Sequence, residues 1–229
     1  MDLPVSNGHR DKQEDADLLL VQVGKTILDN VPVLLFGSVL LLAAAWPGLF
    51  LASGASWAVA WPVLMLCTGP IWAGVVAMVG RLLEGDVVTP RCLLGLVRRH
   101  AGAGARIAVV PAVSGGILFA ALQLLDRDPE VVWLAVPLLL DAGTAIVVAT
   151  SLVSAFTLAV ERGLTGTGLW LSSAGVTISR PAPVLGTLTL FGIVGWLALA
   201  FGPAALVLMG PMAVLAAAVT REALPSAPE

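Results

Sequence analysis

The chain alternates between long uncharged apolar runs and short charged blocks. A run of about 18 or more apolar residues is what a helix needs to cross a bilayer. The first covers about 31–52, and the short SGAS at 53–56 turns the chain into a second at about 57–80. A polar stretch over 81–106 leads to a third run at about 107–125, and Asp126–Glu130 marks a tight acidic turn. The fourth run begins near Val131 and stops before Glu161-Arg162. A mixed stretch over 161–183 precedes the last apolar run, 184–219, which as one straight helix is about 54 Å long, against a hydrocarbon core of about 30 Å. Gly202-Pro203 divides it into 184–201 and 204–219. The pattern predicts an all-α, polytopic transmembrane helical bundle of about six spans. Its expected parts are a polar N-terminal tail and interfacial helix over 1–30, a transmembrane domain over 31–220 and a disordered tail over 221–229.

Composition agrees with the pattern. Hydrophobic residues make up 58% of the 229 positions and charged residues 12%, about half the share usual in soluble domains. Of the 12 basic residues, only Arg127 falls in a segment that six spans place outside. By the positive-inside rule both termini are then cytoplasmic and the protein is a multi-pass protein of the cell membrane. The N-terminus is acidic before the first apolar run (Asp11, Glu14, Asp15, Asp17), where a cleaved signal would be basic. The net charge of −3 says little, because the two signs are sorted by segment, and no nucleic-acid partner is expected.

Two blocks between spans carry helical patterns. In 81–106, Thr89 can cap a helix and Pro90 fits its first position. Leu93, Leu94 and Val97 then share one face, with Arg91, Arg98 and Arg99 around it. Such a basic amphipathic helix suits either the anionic inner leaflet or a docked cytoplasmic partner. In 161–183, Leu164, Leu171 and Ile178 recur at helical spacing, but the glycines from 163 to 175 argue against a rigid helix. A span–amphipath–span unit is thus readable twice, at 57–125 and 131–201. Gly69, Ala73 and Ala77 form a small-residue stripe of the kind that lets helices approach closely.

Asp141 is the one carboxylate inside an apolar run, about ten residues into the fourth. A charge at a span's centre costs about 2.5–3.5 kcal/mol, so it is expected to face the bundle or water. On an ideal helix Thr144 and Ser151 lie within about 80° of it, while Leu139 and Val148 are assigned to the opposite side, and Pro137 can open the helix locally. Asp141, Thr144 and Ser151 are therefore the intramembrane polar candidates, either as a buried interhelical hydrogen bond or as a proton or cation site. No nucleophile–His–acid set, phosphate-cradling glycine loop or metal-ligand spacing is present in the sequence. No enzymatic activity, cofactor or metal is expected. Cys67 lies in an apolar run and Cys92 in the basic block, so no disulfide is expected between them.

The run CTGPIWAGVVAMVGRLLEGD, followed by the Arg-rich block and another span, resembles the YesL-like family of small bacterial membrane proteins. Pro70, Gly74, Arg81, Glu84 and Gly85 carry the resemblance, which extends over about 67–221 through the Arg180-Pro181 step. The resemblance implies an accessory or regulatory component associated with solute transport, with carbohydrate as the solute class, working in a transporter complex or as a homo-oligomer. It supplies no catalytic residue. A longer first hydrophobic region and the lack of Tyr depart from the family. The alternative expectation is a small secondary transporter or channel that uses Asp141.

Overall fold

A computed structural model describes residue 21 and residues 24–54, 56–127, 135–201 and 208–223. Among them every regular element is a helix and no strand is present. They are α1 (Val31–Gly54), α2 (Trp57–Leu83), α3 (Pro90–Arg127), α4 (Ala135–Arg162), α5 (Gly166–Ser179), α6 (Pro181–Phe201) and α7 (Met209–Ala223). A helical turn over 24–29 leads into α1 through Asn30, whose side-chain amide donates to the Thr26 carbonyl.

Four helices are long and apolar enough to cross a membrane, and a fifth is reached if the bent pair α5–α6 counts as one span. α7 is too short for that test. Gly202-Pro203, the expected turn before it, lies outside the described residues. α7 continues to Ala223, so the expected tail begins in helix rather than at Arg221.

Small residues decide how closely the first three helices pack. A Cβ on Gly48 of α1 would lie 2.8 Å from the Cα of Leu64, and one on Gly74 of α2 would lie 2.6 Å from the Cα of Val97. Farther along, Gly69 and Gly104 abut, and Gly115 leaves room for the indole of Trp61, whose Nε1 donates to the Pro111 carbonyl at 2.8 Å. α1, α2 and α3 therefore form an antiparallel three-helix layer. The stripe of Gly69, Ala73 and Ala77 is packing, as the residues are all buried.

α3 departs from expectation. An amphipathic helix near 89–100 and a separate span at 107–125 are predicted, yet one helix of 38 residues runs through both. At 1.5 Å per residue it is about 57 Å long, and its charged first half extends the apolar part. The glycine-rich link at 101–105 stays helical because Gly104 sits against the Gly69-Pro70 backbone. That close packing offsets the roughly 1 kcal/mol that a helical glycine costs.

The core is concentrated at one end of the bundle. There Ala73–Gly80 of α2 are all buried, with Val33, Leu34 and Leu41 of α1, Leu93 and Leu96 of α3, and Ala213, Val214 and Ala217 of α7 in one cluster. A second cluster joins α2 and α3 to Ala155, Phe156 and Leu158 of α4 and to Leu169 and Val176 of α5. The other halves expose large apolar side chains instead: Trp46 and Phe50 on α1, Val113 and Ile117 on α3, Leu139 and Leu140 on α4. A contiguous belt of that kind is unfavourable in water and costs nothing in hydrocarbon. The fold is that of a helical protein built to be embedded in a membrane.

α4, α5 and α6 do not repeat the geometry of α2 and α3. Gly163 and Gly166 both take positive φ, 65° and 62°, in the turn that sends α5 back along α4. α5 then breaks at Arg180 and α6 leaves at 103°, where the corresponding place in α3 is continuous. The glycine-rich run thus holds a regular helix after its turn. Leu171 and Ile178, which recur at helical spacing, are 75% and 79% exposed, and Leu169, Ser173 and Val176 face the bundle.

Candidate functional site

The first three turns of α3 build a basic face on a fixed support. Pro90 opens the helix, and the hydroxyl of Thr89 accepts the backbone N–H of Cys92 at 3.4 Å, capping the first turn. Leu93 (0% exposed) and Leu96 (5%) are driven into the core with α1 and α2, and Val97 packs against it. Leu94, predicted on the same face, is exposed instead. Arg91, Arg98 and Arg99 all remain exposed. Arg91 and Arg98 lie within about 20° of each other, two turns apart, with Arg99 about 100° around from Arg98.

Both sequence readings of that helix, against the inner leaflet or a docked partner, concern the surface it leaves outward. An interfacial helix lays its apolar face in lipid, but Leu93 packs beside Gly37 and within the core that holds Val75. Part of the apolar face is thus spent on the protein itself, while Leu94 stays 45% exposed. Outward stand Leu94 and three guanidinium groups, and no described carboxylate is paired with those groups in the observed ion bridges.

A second charged group gathers at the same end of the bundle. Arg221 on α7 donates from Nε to Glu161 Oε1 on α4 at 2.7 Å. Its Nη2 reaches Glu84 Oε1, just past α2, at 3.0 Å and the Gly80 carbonyl at 3.2 Å. One side chain thus ties the ends of three helices. The other end of α7 is tied as well, where the Gly210 N–H donates to the buried hydroxyl of Ser38 on α1 at 2.8 Å. Pro211 falls in the first turn of α7, where its missing N–H has no helical partner to lose. Gly85, with φ of 86°, forms the turn after Glu84 in a conformation that favours glycine.

Sequence spacing does not show that these groups meet. Arg221 counts there only toward the basic bias, and its partners lie 60 and 137 residues away. The one available signal is that Glu84 and Glu161 each stand within a few residues of the end of an apolar run.

The intramembrane candidates are not brought together. Asp141 sits on the half-buried stripe of α4 with Leu138, Ala142 and Ala145, and one of its carboxylate oxygens, Oδ2, is buried with no hydrogen-bond partner. Thr144 is exposed and bonds only the Leu140 carbonyl of its own helix. Ser151 is buried about 15 Å along the helix from Asp141. Val148, assigned to the opposite side, is seven residues from Asp141 and therefore on its own face, where it is buried. Pro137 lies in the first turn of α4 as described, so it breaks no bond in the helix interior.

Ser151 belongs to a hydroxyl seam that the sequence did not reveal. The Ser151 carbonyl accepts the hydroxyl of Ser173 on α5, and the Ser154 and Ser173 oxygens lie 2.8 Å apart. Thr177 reaches the Thr150 carbonyl at 3.5 Å. These bonds hold α5 against α4 and engage the hydroxyls of Ser154, Ser173 and Thr177 in doing so. Among the described residues no group of His, Cys, Asp and Glu could hold a metal ion.

Compared with known proteins, the chain matches no family model, no curated protein and no solved structure. The functional reading therefore rests on the residues themselves.

Proposed function

We propose that the protein is an accessory or regulatory membrane subunit of a solute-transport system, and that it engages its partner through the basic face of α3. The observation that carries this reading is the pairing of a buried Leu93–Leu96 side with an exposed Arg91–Arg98–Arg99 side on one helix. A rigid, desolvated support keeps three charges in fixed register, which favours recognition of an acidic surface. The charge bias supports six spans in the cell membrane with both termini and this face in the cytoplasm. The YesL-like resemblance supports the link to carbohydrate uptake, and two of its residues have physical roles here: Glu84 binds Arg221 and Gly74 admits Val97.

A second reading, a small carrier or channel, draws on Asp141, whose Oδ2 is buried without a partner. The two readings part in one experiment on purified protein. An accessory subunit co-purifies with a partner from detergent and moves no solute alone in liposomes. A carrier moves solute alone, and Asp141→Asn, which keeps the shape of the side chain and removes its charge, abolishes the flux. Flux without a partner would reject the accessory reading.

A further inference from the structure

The exposed arginines of α3 are carried at the same end of the bundle at which α1 begins. Ile27, in the helical turn before α1, packs against the core cluster that contains Leu93 and Leu96. With Gly37 of α1 beside Leu93, α1 begins at the end of the bundle that carries the first turns of α3. The chain before it is acidic: the run DKQEDAD at 11–17 holds four carboxylates, Asp11, Glu14, Asp15 and Asp17, and one cation, Lys12.

We propose that this acidic segment, residues 11–17, docks on the Arg91–Arg98–Arg99 face of α3 and competes there with any external anionic surface. The inference rests on the reading of that face as a docking surface and adds its regulation. Charge is matched, with a net three negative charges facing three guanidinium groups. Carboxylates pair with arginine through short, charge-assisted and often bidentate bonds.

The tether is short. From Val21, the first described residue, six residues of extended chain to Asp15 cover about 20 Å. Arg98 lies five residues beyond Leu93, about 7.5 Å along α3. A tether this short gives the segment an effective concentration in the millimolar range, so modest pair energies suffice to occupy the face. The same tether lets a multivalent acidic partner displace it. Docking is then gated by competition, and it tightens when the segment is removed.

The test measures one distance in the full-length protein with no partner present. Spin labels are placed by Ala16→Cys and Gly95→Cys, with Cys67→Ser and Cys92→Ser, in nanodiscs of phosphatidylcholine alone. All the charges concerned are kept, and a side chain at Gly95 meets nothing within 4 Å. The expected result is a population of short separations, on the order of 20 Å. It shifts to longer values when Asp11, Glu14, Asp15 and Asp17 are replaced by Asn or Gln, and equally when the three arginines become Gln. Separations that are long from the outset, or short ones that survive neutralisation of either side, overturn the proposal. Loss of the short population when phosphatidylserine is added identifies lipid headgroups as the stronger competitor and supports competition for the face. Because no partner is present, failure here leaves the docking reading of α3 intact, and failure to isolate a partner leaves this contact intact.

Discussion

Arg221 bonds two carboxylates that differ in exposure, and that difference ranks them. Its own side chain is 28% exposed, Glu161 is 21% and Glu84 is 62%. An exposed pair contributes little because water and salt screen it, while a half-covered, short, charge-assisted bond contributes more. Arg221→Gln is expected to cost about 1–2 kcal/mol, seen as an earlier thermal transition in detergent. Glu161→Gln should reproduce most of that loss and Glu84→Gln little of it. Equal losses from the two would contradict the ranking. At this scale the sequence was legible where a local period governs. Arg91, Arg98 and Arg99 share a helix, so their spacing alone announces one basic face. Helical spacing also grouped Asp141 with Thr144 and Ser151, but it could not show that α5 covers only the second half of α4. One face of α4 therefore meets two different surroundings.

Among the helices, close approach between α2 and α3 sets the architecture, and it depends on residues without side chains. Gly74→Ala would set a methyl group 2.6 Å from the Val97 Cα and 2.9 Å from its backbone nitrogen, which cannot move aside. The helices must part, at a cost of about 1–3 kcal/mol for overpacking. Gly102→Ala on α3 is the matched control. It meets nothing within 4 Å, and it should stabilise by up to about 1 kcal/mol through helix propensity. Thermal unfolding of both variants in one detergent checks the pair, and opposite signs are expected. The same balance explains why the continuity of α3 was hidden. Propensity reads 101–105 as a break because it prices each glycine locally, whereas the fold recovers that cost in contacts with residues about 35 positions away. The end of α2 and the start of α3 were legible because their signals, Gly85, Thr89 and Pro90, act within a few residues.

The described residues divide into a packed end, where six helices bury apolar faces in one another, and an open end that offers apolar side chains outward. The alternation of apolar runs with charged blocks foretold membrane helices. It could not foretell this division, since a buried valine and a lipid-facing valine read alike. Orientation is open to direct measurement. Reporter fusions after Arg99 and at the C-terminus are expected to report cytoplasm, and one at Asp128 the outside. A C-terminal fusion that reports outside would remove one span and the expected turn at 202–203.

The central claim is that the exposed arginines of α3, carried on that packed end, are the surface through which the protein works. The most direct measurement is quantitative affinity isolation from detergent of the wild type beside Arg91→Gln/Arg98→Gln/Arg99→Gln at matched expression and matched thermal stability. The account predicts a partner recovered in fixed ratio with the wild type, with recovery from the triple variant reduced at least about tenfold; even about 1 kcal/mol per lost charge would supply that factor. Undiminished recovery by the triple variant would contradict it.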